Sequence, residues 1–149
     1  NVIIGRQNIE KYKSNLATVK IKNAIKESES VISLFDVKTP NTNTLATALS
    51  GGNQQKFVVG RELEDDPSLL IASQPTRGID IGAQSLIWEK LRESRDNGLA
   101  VLLISADLEE LIGLSDRIIV FYQGSMVKEL NSANLSPEDL GGYMTGLKK

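Results

Sequence analysis

Three short apolar runs separated by helix-periodic stretches constrain this chain more than any other feature. Leu69-Leu70-Ile71-Ala72, Leu99-Ala100-Val101-Leu102-Leu103-Ile104 and Arg117-Ile118-Ile119-Val120-Phe121-Tyr122 are of strand length, nearly free of polar alternation and bounded by turn residues. That is the pattern of buried parallel strands. Between the first two, Leu86, Ile87, Trp88 and Leu91 fall at helical spacing from Gln84 to Asp96, and Asn97-Gly98 is a helix stop. Between the last two, Asp107 to Gly113 reads as a short helix. Strand, helix, strand, helix, strand specifies a parallel α/β sheet. Gln123-Gly124-Ser125 then turns the chain into Met126 to Leu130 as a hairpin at the sheet edge. Ser136-Pro137-Glu138-Asp139 starts a last helix with a cap, a first-turn proline and two acids facing the dipole, and Gly141-Gly142 weakens it.

The first half is predicted to be mostly helical. Asn1 to Lys13 opens without a capping or initiator residue, as an internal piece of a longer polypeptide would. From about Val19 to Asp36, Ile21, Ala24, Ile25, Val31, Ile32 and Phe35 recur at three-to-four spacing among lysines and glutamates, which predicts an amphipathic helix. Val37 to Thr44 is polar and turn-rich, a loop that delivers the chain to Leu49-Ser50-Gly51-Gly52-Asn53-Gln54-Gln55-Lys56. In that octapeptide Ser50 can cap a helix running from about Gly52 to Leu63, and its hydroxyl can donate to an anion. Gly51 and Gly52 carry no Cβ, so a phosphate oxygen could approach their N–H groups at the positive end of the helix dipole. By itself a Ser-Gly-Gly need do no more than begin a helix.

The octapeptide as a whole resembles the signature sequence of ABC-type ATPases, in the Asn-Gln-Gln form of bacterial importers of simple sugars and nucleosides. Ser73-Gln74-Pro75-Thr76-Arg77-Gly78-Ile79-Asp80 is similar to the Walker B end and adjoining D-loop of that family, and Ser105-Ala106-Asp107 to its switch segment. The resemblance implies an α/β fold, the C-terminal part of a P-loop NTPase (RecA-like) core with parallel strands, preceded by the ABC α-helical subdomain. Residues 1–66 would be the helical subdomain ending in the signature helix, and residues 67–149 the second half of the ATPase core. No G-x-x-x-x-G-K-[ST] occurs in these 149 residues.

Where the family has Asp-Glu and a switch histidine, this chain has Ser73, Gln74 and Ala106. A hydroxyl and an amide have no charge with which to retain Mg²⁺ or take a proton, and a methyl group cannot donate to a γ-phosphate. The resemblance therefore implies a degenerate nucleotide site on this domain's own side, without catalytic residues or a protein metal site. It also implies that Ser50, Gly51, Gly52 and Gln54 bind ATP in trans, with Gly78 and Asp80 at the dimer interface. Arg77 reads equally as surface charge or as part of that interface. ATP and Mg²⁺ belong to the full assembly, and none is expected on this piece alone. The implied partners are a second nucleotide-binding domain and integral membrane permease subunits, at the cytoplasmic face of the membrane.

Composition bears on the rival readings. A formal charge of -2 and a pI near 5.2 give no electrostatic footing for nucleic acid. That argues against a soluble ABC clamp on ribosomes or DNA, while a purely regulatory or interaction module stays open. The chain has neither Cys nor His, which removes disulfides, thiolate metal sites and the commonest general base. No apolar run approaches the roughly 20 residues of a membrane span, and no signal-peptide pattern opens the chain.

Overall fold

The computed structural model of the chain describes residues 1–14 and 18–148, which fall into two units: Asn1–Ser68 with Thr76–Lys90, and Leu69–Pro75 with Leu91–Lys149. The first unit holds helix α1 (Ile21–Leu34), a single 3-10 turn (Ala46–Ala48), helix α2 (Gly51–Leu63) and the first part of helix α3 (Ile81–Asp96). Helix α2 starts where its cap dictates, one residue earlier than expected, and α3 starts three earlier because Asp80 caps it through Ala83 N (2.9 Å). Helices α1 and α2 meet at Gly60. A Cβ there would lie 2.6 Å from the Phe35 ring and 2.8 Å from Val31 Cγ1, so the crossing requires glycine in mid-helix.

The buried stripe of α1 differs from the expected one. Ile21 is 59% exposed and Ile25 is exposed too, whereas Glu27 is only 3% exposed and shares a line with Val31 and Phe35. Residues four apart stack on one helix face, and 27, 31 and 35 form that row. Glu27 is tolerated inside because the N-terminal segment covers it with compensating groups. Tyr12, itself fully buried, donates its hydroxyl to Glu27, the Lys11 ammonium pairs with the same carboxylate, and Arg6 Nη1 lies 3.5 Å from its other oxygen. Arg6 also reaches Asp65 (3.0 Å) and Glu62 (3.3 Å), joining the segment to the end of α2. Burying a carboxylate demands this much pairing.

In the second unit, strand β1 (Leu69–Ser73) pairs in parallel with β2 (Ala100–Ile104), Leu69 opposite Ala100 and Ser73 opposite Ile104. Strand β3 (Arg117–Tyr122) pairs antiparallel with β4 (Ser125–Asn131) through a two-residue turn whose Gln123 and Gly124 both have positive φ, as a type I′ hairpin needs. Asp107 caps helix α4 (Leu108–Leu114), and Ser136 caps helix α5 (Pro137–Met144). Leu111, Ile118, Val120 and Leu140 form the buried centre. The glycine pair does not break α5, since its cap and the full burial of Leu140 hold it.

Two expectations for this half are corrected. The third strand does not join the parallel sheet: β1–β2 and β3–β4 are separate two-stranded sheets. Nor are the apolar runs buried on both sides, since Leu69, Ile71, Leu102 and Ile104 are each at least half exposed. Sequence reports that these residues suit a covered face, whereas coverage depends on what packs there.

Two outcomes follow from these contacts. Gly60→Ala would gain about 1 kcal/mol of helix propensity in isolation, but here overpacking at a cost of roughly 1–3 kcal/mol dominates, so urea unfolding should show a net loss of stability. Burial first, and the bond to Glu27 second, push the Tyr12 phenol up to about 12. The unfolded chain releases that proton from pH 10 and the folded chain only near 12, so this contribution is complete below pH 10 and is lost between the two. Stability should fall there by up to about 1.4 kcal/mol per pH unit from this group, and Tyr12→Phe should remove that share of the slope.

Candidate functional site

The first unit places the start of α2 at its surface. Ser50 is extended (φ -61, ψ 157), and its Oγ accepts from Asn53 N at 3.4 Å and from Asn53 Nδ2 at 2.9 Å. Asn53 Oδ1 in turn accepts from Lys38 N (2.8 Å), tying the incoming loop to the helix start. Gln54 N donates to Ser50 O, and Gln54 Nε2 closes back on Leu49 O at 2.8 Å. Asn53 belongs to the signature-like octapeptide, and a polar residue three positions after a capping serine is a recognisable signal of this contact.

The two glycines differ in surroundings. Gly51 is exposed, and a Cβ on it would meet nothing within 4 Å. Gly52 is buried, and a Cβ on it would lie 2.8 Å from Asp80 Oδ2 and 3.0 Å from Ala83 Cβ. The space at Gly52 is thus filled by the start of α3, while the space at Gly51 is open to whatever approaches from outside. The structure brings Asp80 to the signature-like turn and gives it a local task, capping α3. Gly78 has φ +73 and open surroundings, and Arg77 beside it is exposed.

In the second unit, the carboxyl ends of β1 and β2 lie side by side, where ligands collect in α/β sheets. Gln74 sits there in the left-handed region (φ 52) and donates its backbone N–H to Ile104 O (2.8 Å), extending the ladder past Ser73. On the neighbouring strand Ser105 Oγ accepts from Asp107 N (3.0 Å), Ala106 is exposed, and Asp107 Oδ1 accepts from Glu110 N (3.0 Å). Ser73, Gln74 and Ala106 therefore follow the carboxyl ends of the paired strands, and Asp107, next to Ala106, caps a helix. Among the described residues no group of three or more His, Cys, Asp or Glu gathers in a metal-binding arrangement. These strand ends do not fit a resident Mg²⁺. No helix among the described residues is long and apolar enough to cross a membrane.

Comparison with known proteins gives the geometry a context. No family model matches the chain. It is 50% identical over 121 residues to the guanosine import ATP-binding protein NupO of Bacillus subtilis, covering 81% of this chain and 24% of that protein. With the ribose import ATP-binding protein RbsA of Clostridium tetani it shares 38% over 136 residues, 91% of this chain and 27% of that one. With the glucose import ATP-binding protein TsgD13 of Haloferax volcanii it shares 46% over 121 residues, 80% and 22%. The chain thus spans about a quarter of the length of these curated relatives. Among solved structures it is similar to a dimeric ATP-binding cassette in a post-hydrolysis state with ADP and Pi, with TM-score 0.65, 22% identity, and coverage of 80% of this chain and 51% of that chain. It is also similar to an inward-facing putative metal-chelate ABC transporter, with TM-score 0.75, 17% identity, and coverage of 97% and 56%.

The unequal glycines make a direct test of the site's geometry. Gly52→Ala should destabilise the chain by about 1–3 kcal/mol through contact with Asp80 and Ala83, whereas Gly51→Ala should change its urea midpoint little. Equal losses would contradict the packing described.

Proposed function

Starting from a chain homologous to ABC import ATP-binding proteins and folded as an ABC ATPase domain, we propose that it lends the first turn of α2 to ATP held by a second nucleotide-binding domain. It would serve as part of the ATP-binding subunit of an importer of simple sugars or nucleosides, the classes that the relatives' names give for those proteins. Residues 1–66 would act as the helical subdomain and 67–149 as the second half of the core. The subunit would sit on the cytoplasmic face of the membrane against a permease.

The observation that carries this reading is the state of the Ser50 hydroxyl. A serine hydroxyl offers two acceptor sites and one O–H donor. Asn53 donates to this oxygen through Nδ2 at 2.9 Å and through its backbone N–H at 3.4 Å, and the hydroxyl proton is left to donate, at an exposed helix start beside the open space of Gly51. Bound ATP would supply the phosphoryl group to be transferred. Ser50 and the backbone N–H of Gly51 would donate to its oxygens, an electrostatic task that needs no change of protonation. Gly52 would admit Asp80 beneath that turn, and Gln54 would brace it through Leu49. Gly78 and Asp80 would lie at the seam between domains.

On this domain's own side turnover would be negligible, because Ser73 and Gln74 carry no charge and Ala106 no donor. The decisive assay is ATP turnover by the whole subunit with its permease. Ser50→Ala and Gly51→Ala should each lower it by about 10²-fold or more, while Ser73→Asp combined with Gln74→Glu should change it little, since Ala106 remains. Unchanged turnover in both α2 variants would contradict the reading and leave the chain an interaction module.

A further inference from the structure

The loop between α1 and α2 brings a cation to the start of α2. Lys38 is held there by its backbone: its N–H donates to Asn53 Oδ1 (2.8 Å), and Asn53 Nδ2 donates to Ser50 Oγ (2.9 Å). Two hydrogen bonds and one carboxamide therefore separate Lys38 N from Ser50 Oγ, which puts the two atoms at most about 8 Å apart. A lysine side chain extends roughly 6 Å from its Cα, so a phosphate held by Ser50 is within reach of the ammonium.

In the structure that ammonium rests on Asp36 Oδ1 (2.5 Å), with the two side chains 74% and 59% exposed. An ion pair so open to water contributes little and is readily given up. Asp36 has a second cation to keep. Lys56, whose side chain is only 12% exposed, donates to Asp36 O (3.3 Å) and lies 4.0 Å from Asp36 Oδ2. The end of α1 fixes Asp36 in turn: Asp36 N donates to Ser33 O and Val37 N to Ile32 O, the paired bonds of a Schellman stop, with Asp36 at its left-handed position (φ 47). Lys56 is the anchored partner of the carboxylate, and Lys38 is the one that can leave.

The charge balance at the start of α2 gives such a cation a task. The Ser50 hydroxyl and the Gly51 N–H are neutral donors, and the Asp80 carboxylate lies against the same turn, 2.8 Å from where a Cβ on Gly52 would be. A polyphosphate arriving there meets partial charges and one carboxylate, and an ammonium is the point charge that offsets both. We infer that Lys38 is a nucleotide-binding residue: when ATP held by a second domain meets the start of α2, the Lys38 ammonium leaves Asp36 and pairs with the polyphosphate. The inference rests on the role proposed for Ser50. It makes Asp36 a competitor of the nucleotide, so that removing the carboxylate favours binding while removing the ammonium weakens it.

Steady-state kinetics of the whole subunit with its permease test it through that opposition of signs. Lys38→Met should raise the KM for ATP about 10-fold, with the loss falling on KM rather than kcat, and Lys38→Arg should recover most of it. Asp36→Asn keeps a residue that tolerates the left-handed backbone, and it should lower the KM by about twofold or more. Were the pair only a tie within the loop, both variants would move the KM in the same direction. That result, or a KM unmoved by Lys38→Met, would overturn the inference. Ser50→Ala separates it from the reading beneath it: turnover lost in Ser50→Ala with the KM unmoved in Lys38→Met sinks the inference alone, whereas a subunit indifferent to Ser50→Ala sinks the functional reading and the inference with it.

Discussion

Asn53 holds the Ser50 hydroxyl by two donors, and the orientation of the helix start depends on that pair. With it, the N-cap of a 13-residue helix is held at the positive end of the helix dipole. Lys38 N and the Gln54 amide fix the flanking loop on either side. The first turn is thus braced from within the chain, with a second layer of contacts where Asp80 fills the space left by Gly52.

The two candidate regions, one in each unit, differ in side-chain chemistry. At α2 the available groups are neutral donors and a dipole, which suit a fully charged phosphate and are indifferent to pH. At the carboxyl ends of β1 and β2 the family resemblance leads one to look for charge, and Ser73, Gln74 and Ala106 supply none. Gln74 nonetheless keeps a left-handed backbone, a conformation uncommon for a residue with a side chain, and its N–H is tied to Ile104.

Local chemistry was legible in the sequence, and long-range coverage was not. Ser50 and Ser136 cap the helices they were expected to start, Gln123-Gly124 makes the expected hairpin, and the apolar runs form strands, because each depends on a few neighbouring residues. The buried row of α1 was misread because Glu27 looks solvent-facing until Arg6, Lys11 and Tyr12 are folded over it from more than a dozen residues away. The parallel pairing of β1 with β2 was legible but its coverage was not, for a related reason: Leu69 and Ile104 have the composition of covered residues, but what covers them is not determined by their own stretch. At the candidate site Gly51 and Gly52 look alike in sequence. Only the position of Asp80 separates the open glycine from the packed one.

The most direct measurement is a structure of the assembled subunit trapped with a non-hydrolysable ATP analogue. The expected result places Ser50 Oγ within about 3 Å of a terminal phosphate oxygen of a nucleotide bound by the other domain, with Gly51 against the same phosphate. Ser50 and Gly51 facing solvent, away from any triphosphate, would contradict the account.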